Sequence, residues 1–162
     1  MRNVFVSYAH RLDQDSADEF RKKFGSDKMV FSDRSLENQD LSKLSDDTIK
    51  NRYIRPLLKQ SSVTIVLVGQ ETGGRWWVDW EIYCSLRKSE GNERNGILAI
   101  LLPNKKHHIP QRILENPDNC KIIGMPTSSE ELNNAIEDAY DLRDNHPNLS
   151  TPLRKRNSYI YN

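Results

Sequence analysis

Cysteine is nearly absent from this chain. Only Cys84 and Cys120 occur in 162 residues, each inside an apolar segment, and both read as small buried hydrophobes of a reducing compartment. Long hydrophobic runs are missing too. No stretch approaches the ~20 apolar residues that span a bilayer, and the opening MRNVFVSYAHRLD meets charge too soon for a secretory leader. The expectation is a cytoplasmic protein with no membrane partner. Charge of one sign is also lacking: 24 basic against 23 acidic groups leave a net +1. Such a balance sets up no global field for nucleic acid, so any ligand must be recognised locally. Nor is there a metal-ligand pattern. His107 and His108 are adjacent, so in an extended loop their rings point apart, and no Cys, Asp or Glu set accompanies them. The run Arg154-Lys155-Arg156 reads as a solvated tail.

What is present is a single-domain composition, 36% apolar and 29% charged. A chain of this length buries roughly two thirds of the surface that its unfolded form exposes. Four short β-rich runs stand out: Asn3 to Tyr8, Met29 to Ser32, Ser62 to Gly69 and Gly96 to Leu102, with a weaker fifth from Cys120 to Gly124. The third and fourth are almost continuously apolar, as strands buried on both faces of a parallel sheet are. Helical patterns lie between them. Asp15 to Phe24 groups Phe20 with Phe24, and Asp46 to Lys59 repeats Ile49, Tyr53 and Leu57, with Ile54 and Leu58 partly inward. Trp77 to Lys88 is a third helix. Glu130 to Arg143 is a fourth, with Leu132, Ile136 and Ala139 inward and Ser128 or Ser129 as its cap. Alternating strands and helices predict a doubly wound, flavodoxin-like α/β sheet of five strands in the order 2-1-3-4-5. The segments Asp33 to Ser45 and Pro103 to Asn119 read as irregular, and residues 145–162 as a C-terminal tail after a domain of residues 1–144, irregular or partly ordered and either draped over the surface or partly disordered.

In such a sheet ligands bind beyond the carboxyl ends of the strands, where the strand order reverses between strands one and three. That rule selects Ser7-Tyr8-Ala9-His10 after strand one and Gly69 to Trp76 after strand three. The glycines of the second loop, running into a helix N-terminus, could cradle a phosphate, although Gly73-Gly74 is as readily a plain turn. His10 could bond a ribose or phosphate, or be an ordinary surface histidine. Trp76 could stack on a base, or simply pack. Glu81 is the sharper signal. It lies one turn after Trp77, at the edge of the apolar face formed by Trp77, Val78, Trp80, Ile82 and Cys84. A carboxylate there needs a partner, a raised pKa or an open cleft. The bland reading is a rim glutamate bonded to Ser85 or Lys88.

The segments NVFVSYAHRLD, MVFSDRS, SSVTIVLVG and RWWVDWEI, in that order, resemble a TIR-like domain, and within that family the TIR-like subunit of Thoeris anti-phage systems. Ser7, Tyr8 and Asp13 match the family's opening strand and the aspartate after it. Asp33 and Ser35 occupy the place of the loop after strand two. Trp77 and Glu81 reproduce the Trp-x-x-x-Glu spacing in which the glutamate is catalytic; Val78 stands where many members carry cysteine. The resemblance covers Arg2 to Leu102 well.

The resemblance implies cleavage of the nicotinamide–ribose bond of NAD, which is then a substrate and not a cofactor. Glu81 would be catalytic, and Ser7, Tyr8, His10, Asp33, Arg34, Ser35, Gly69 and Trp76 would form the substrate side of the site. It further implies a cyclic ADP-ribose-type signal for a separate effector protein, and it allows a homo-oligomer. A phospho-receiver domain would need acidic residues where Ser7-Tyr8 and Gly69 stand. A flavodoxin would need a glycine- and hydroxyl-rich loop in place of SYAHRLD. The remaining rival is a TIR-like interaction module without catalysis.

Overall fold

In a computed structural model, which describes residues 1–32, 44–88 and 93–155, strands and helices alternate throughout. The strands are β1 (Val4–Ser7), β2 (Met29–Phe31), β3 (Val63–Val68), β4 (Gly96–Leu101) and β5 (Cys120–Gly124). All pairings are parallel, in the order β2-β1-β3-β4-β5. Every residue of β1 and β3 is buried, as is all of β4 but Leu101. No helix among the described residues is long and apolar enough to cross a membrane.

Strand alternation divides the core in two. Val4, Val6, Ile65, Leu67, Leu98 and Ile100 face one layer of helices, α1 (His10–Phe24) and α5 (Ser129–Asp141). Phe5, Val66, Val68, Ile97 and Ala99 face the other, α2 (residues 46–58) and α3 (Trp76–Leu86). A single helical turn, α4 (Gln111–Leu114), lies beside α3. It falls in the stretch read as irregular, where four residues are too few to show a period. The α5 cap is Ser128, whose hydroxyl accepts from the Glu131 amide, and Leu132, Ile136 and Ala139 are buried as expected.

Two helices depart from the sequence pattern. The first starts at His10 and not at Asp15, leaving only Tyr8 and Ala9 between β1 and α1. Asp13 thereby sits in its first turn, where a carboxylate favours the helix dipole and obscures the apolar period. The second, α2, contains a π segment, Lys50–Ile54, between the α-helical Asp46–Ile49 and Arg55–Leu58. Pro56 has no N–H to continue an α ladder, and the wider turn precedes it. The extra residue rotates the stripe: Ile49, Ile54 and Leu58 are fully buried, whereas Tyr53 and Leu57 are only partly so.

The third helix has no solvent face. Ten of its eleven residues are buried, all but Tyr83. The sheet covers one side; the segment after α5 covers much of the other. Leu149 and Leu153 pack on the core, and the Trp80 indole donates to the Arg154 carbonyl at 2.8 Å. Both cysteines are buried free thiols, and burial pushes their pKa values to about 11 for Cys84 and about 12 for Cys120. Trp77 is central to this layer, 2% exposed and anchored through its indole N–H to the Tyr8 carbonyl at 3.2 Å. Trp77→Ala should therefore lower stability by roughly 3–5 kcal/mol, the cost of a large core cavity. An unchanged melting temperature would refute this packing.

Candidate functional site

Glu81 is completely enclosed, with 0% of its surface exposed. Its position follows from strand parity. Ser7 ends β1 on the face toward α3, and Ser32, one residue past β2, lies on the same face as Val30. Ser7 Oγ donates to Glu81 Oε1 at 2.7 Å and Ser32 Oγ donates to Oε2 at 2.8 Å. The Ser32 amide continues the sheet ladder by donating to the Val6 carbonyl at 2.7 Å, which fixes the second serine beside the first. One carboxylate thus bridges the carboxyl ends of two neighbouring strands.

Both partners are neutral hydroxyls, and no basic side chain among the described residues pairs with Glu81. Desolvation raises its pKa from 4.5 to about 7, against the opposing pull of the two serine bonds. The rim reading of this glutamate is overturned. Ser85, offered as its partner, donates instead to the Glu81 backbone carbonyl and shares a hydrogen bond with Thr64 on β3.

The other residues singled out in the sequence divide sharply. Tyr8 is 2% exposed and donates its hydroxyl to Gln14 Oε1. His10 is fully buried, edge-on to Tyr8 and stacked on Trp77 at 5.4 Å between ring centroids. It is not the ordinary surface histidine that its position allowed, because α1 begins there and carries it inward. Trp76 packs edge-on against Trp77 and Trp80 and is 5% exposed, the packing role that the sequence also allowed. Asp33, Arg34 and Ser35 lie outside the described residues.

Gly69 has a structural task. A Cβ there would stand 2.4 Å from an Asp13 carboxylate oxygen, and Asp13 in turn binds Lys105 Nζ at 2.7 Å. The Gly69 carbonyl accepts from the His108 amide, and the Gly73 amide donates to the His108 carbonyl. That Gly73 amide is therefore spent on the neighbouring loop, and Thr72–Gly74 forms a 3-10 turn. His107 also makes a defined contact, to the Leu102 carbonyl at 2.7 Å. No cluster able to hold a metal ion occurs among the described residues.

Ser32 is the site residue that sequence reasoning missed. Its signal was available: it closes the second β-rich run with the parity of Val30, at the sheet edge where ligands bind. The buried Asp79–Arg112 pair, 2.7 Å apart, could not be read from 33 residues of separation.

A family model described as Thoeris protein ThsB, TIR-like domain, matches residues 5–107. No curated protein matches the chain.

The enclosed carboxyl makes stability depend on pH in a defined direction. Below about pH 4.5 Glu81 is protonated in both folded and unfolded chains. Between there and pH 7 the fold keeps a proton that the unfolded chain has lost. Stability is thus lost as pH rises through this window, by up to roughly 3 kcal/mol. Glu81→Gln cannot ionise, so its melting temperature should gain on that of the wild type from about pH 4.5 to pH 7 and level off above that. Parallel curves would show that the carboxyl titrates normally.

Proposed function

The chain belongs to the TIR-like domain family of Thoeris protein ThsB, and from that premise we propose that it is a defence enzyme that cleaves the nicotinamide–ribose bond of NAD with Glu81 as the catalytic carboxylate. The observation that carries this reading is a buried glutamate held by two neutral donors at the carboxyl edge of the first two strands. Breaking this glycosidic bond builds positive charge on the ribose, and a carboxylate beside it stabilises that charge. Glu81 suits the task because no basic residue among those described neutralises it, and low polarity around it strengthens its field. A cationic pyridinium ring nearby would draw the Glu81 pKa down and favour the ionised form.

Ser7 and Ser32 hold the two carboxylate oxygens in place. Both hydroxyls can turn to ribose oxygens once substrate arrives. Glu81 has no exposed surface, so substrate reaches it only after surrounding groups part. Departure of nicotinamide leaves an electrophilic ribose carbon, open to water or to another part of the same ADP-ribose. The second route yields a cyclic ADP-ribose-type signal for a separate effector protein, made by a cytoplasmic enzyme that uses NAD as substrate and needs no cofactor. Asp33, Arg34 and Ser35 belong to the substrate side of the site in this scheme, and self-association fits it.

The full enclosure of Glu81 is also what favours the second reading, an interaction module without catalysis. Purified protein incubated with NAD, alone and after assembly, separates the two when products are resolved by chromatography. The expected outcome is nicotinamide release by the wild type and its loss in Glu81→Gln, a deficit of about 3–5 kcal/mol in barrier height. Similar rates for the two proteins would overturn the assignment of Glu81. Intact NAD in every wild-type incubation would favour the interaction module.

A further inference from the structure

The segment after α5 is bound largely by its backbone, and the side chains that bind it come from α3 and from residues 112–116 in and just after α4. Arg112, 2% exposed, donates Nη1 to the Thr151 carbonyl and Nη2 to the Pro152 carbonyl, each at 3.1 Å. The same guanidinium grips Asp79, through Nε at 2.7 Å and Nη2 at 3.3 Å. Asp79 Oδ2 also accepts from the Arg154 amide at 2.9 Å, and the next residue of α3, Trp80, donates its indole N–H to the Arg154 carbonyl. Upstream, Asn116 holds both the amide and the carbonyl of Asn148. The Thr151 hydroxyl closes onto Glu115 at 2.6 Å.

Two features make this more than surface packing. Most of the hydrogen bonds read main chain, so they define a path for an extended segment more than a preference for its side chains. They also satisfy a buried ion pair, whose remaining lone pairs and protons must be bonded for the pair to be tolerated. Asp79 precedes Glu81 by two residues, about 200° round the helix. The strap therefore pulls on the face of α3 opposite to the one that carries Glu81.

We infer that residues Thr151–Arg154 form a strap that sets the position of α3, making Asp79 and Arg112 positioning residues for Glu81 on the far side of the helix. The inference rests on the proposed catalytic role of Glu81 for its meaning, but its structural half can be read without any turnover. Ser7 and Ser32 fix the carboxylate from the sheet; the strap fixes the helix from outside. Between them α3 has little freedom to slide, and a reacting group displaced by an ångström loses much of its effect.

Arg154→Pro tests this in the full chain, because it deletes the backbone N–H that Asp79 accepts and leaves α3 and Arg112 untouched. Arg154→Ala, which keeps that N–H, is the control. Three readouts are taken: the Trp80 indole N–H resonance, the titration of the Glu81 carboxyl followed by carbon NMR, and NAD cleavage. In Arg154→Pro the indole resonance should move and the Glu81 midpoint should fall from about 7 toward 4.5 as α3 loosens and water enters. Cleavage should lose roughly tenfold or more in kcat with little change in KM. Arg154→Ala should match the wild type in all three. If the proline variant does not fold, Trp80→Phe removes the other main-chain bond, and release is followed by exchange of the Arg154 amide. A moved indole resonance with an unchanged Glu81 midpoint overturns the inference, as does an indole resonance that does not move. A wild type without NAD cleavage defeats the catalytic reading alone, because the coupling of strap to Glu81 is still read in the titration.

Discussion

Helix α3 is buried all round, and most of the polar architecture follows from that constraint. A helix between sheet and solvent can send its charged residues outward; this one has no outward side. Asp79, Glu81 and Ser85 must each find partners inside the protein. They do so in three directions: Asp79 to Arg112 and the strap, Glu81 to the serines of the first two strands, Ser85 to Thr64 on β3. The three tryptophans supply the apolar area that makes enclosure favourable.

The two acidic residues are treated in opposite ways. Asp79 has a guanidinium with matching geometry, so its charge is compensated on the spot. Glu81 receives two hydroxyl bonds and no counter-charge among the described residues, which leaves its pKa near 7. A fold that could bury one ion pair in this helix left the second carboxylate unpaired. Stability alone gives no reason for such an arrangement, which suits the catalytic role proposed for Glu81.

Loops at the carboxyl edge are laced to one another. The Asp13–Lys105 pair joins the start of α1 to the loop after β4, with Gly69 making room for the carboxylate. His108 bonds Gly69 and Gly73 through its backbone. Gly69 and Gly73 here serve close approach between protein segments. Lacing of this kind gives the strand ends that carry Ser7 a fixed frame.

The sequence by itself determined the sheet. Apolar runs bounded by polar segments identified the five strands, and alternation with helices implied parallel pairing and the order 2-1-3-4-5. The apolar face around Glu81 marked it as a carboxylate in need of a partner, because such a group is costly wherever it lies in an apolar stripe. Local pattern could not reach further. The rotation of α2 by a π turn, the inward turn of His10 and the four-residue α4 depend on single backbone choices that leave no period. Only the tertiary structure decided that Glu81 is enclosed and not at a rim, since its partners Ser7 and Ser32 are 74 and 49 residues away. Only it could show the tail bound along α3, because the hydrogen bonds there go to backbone carbonyls and amides, which every residue carries and no sequence pattern marks.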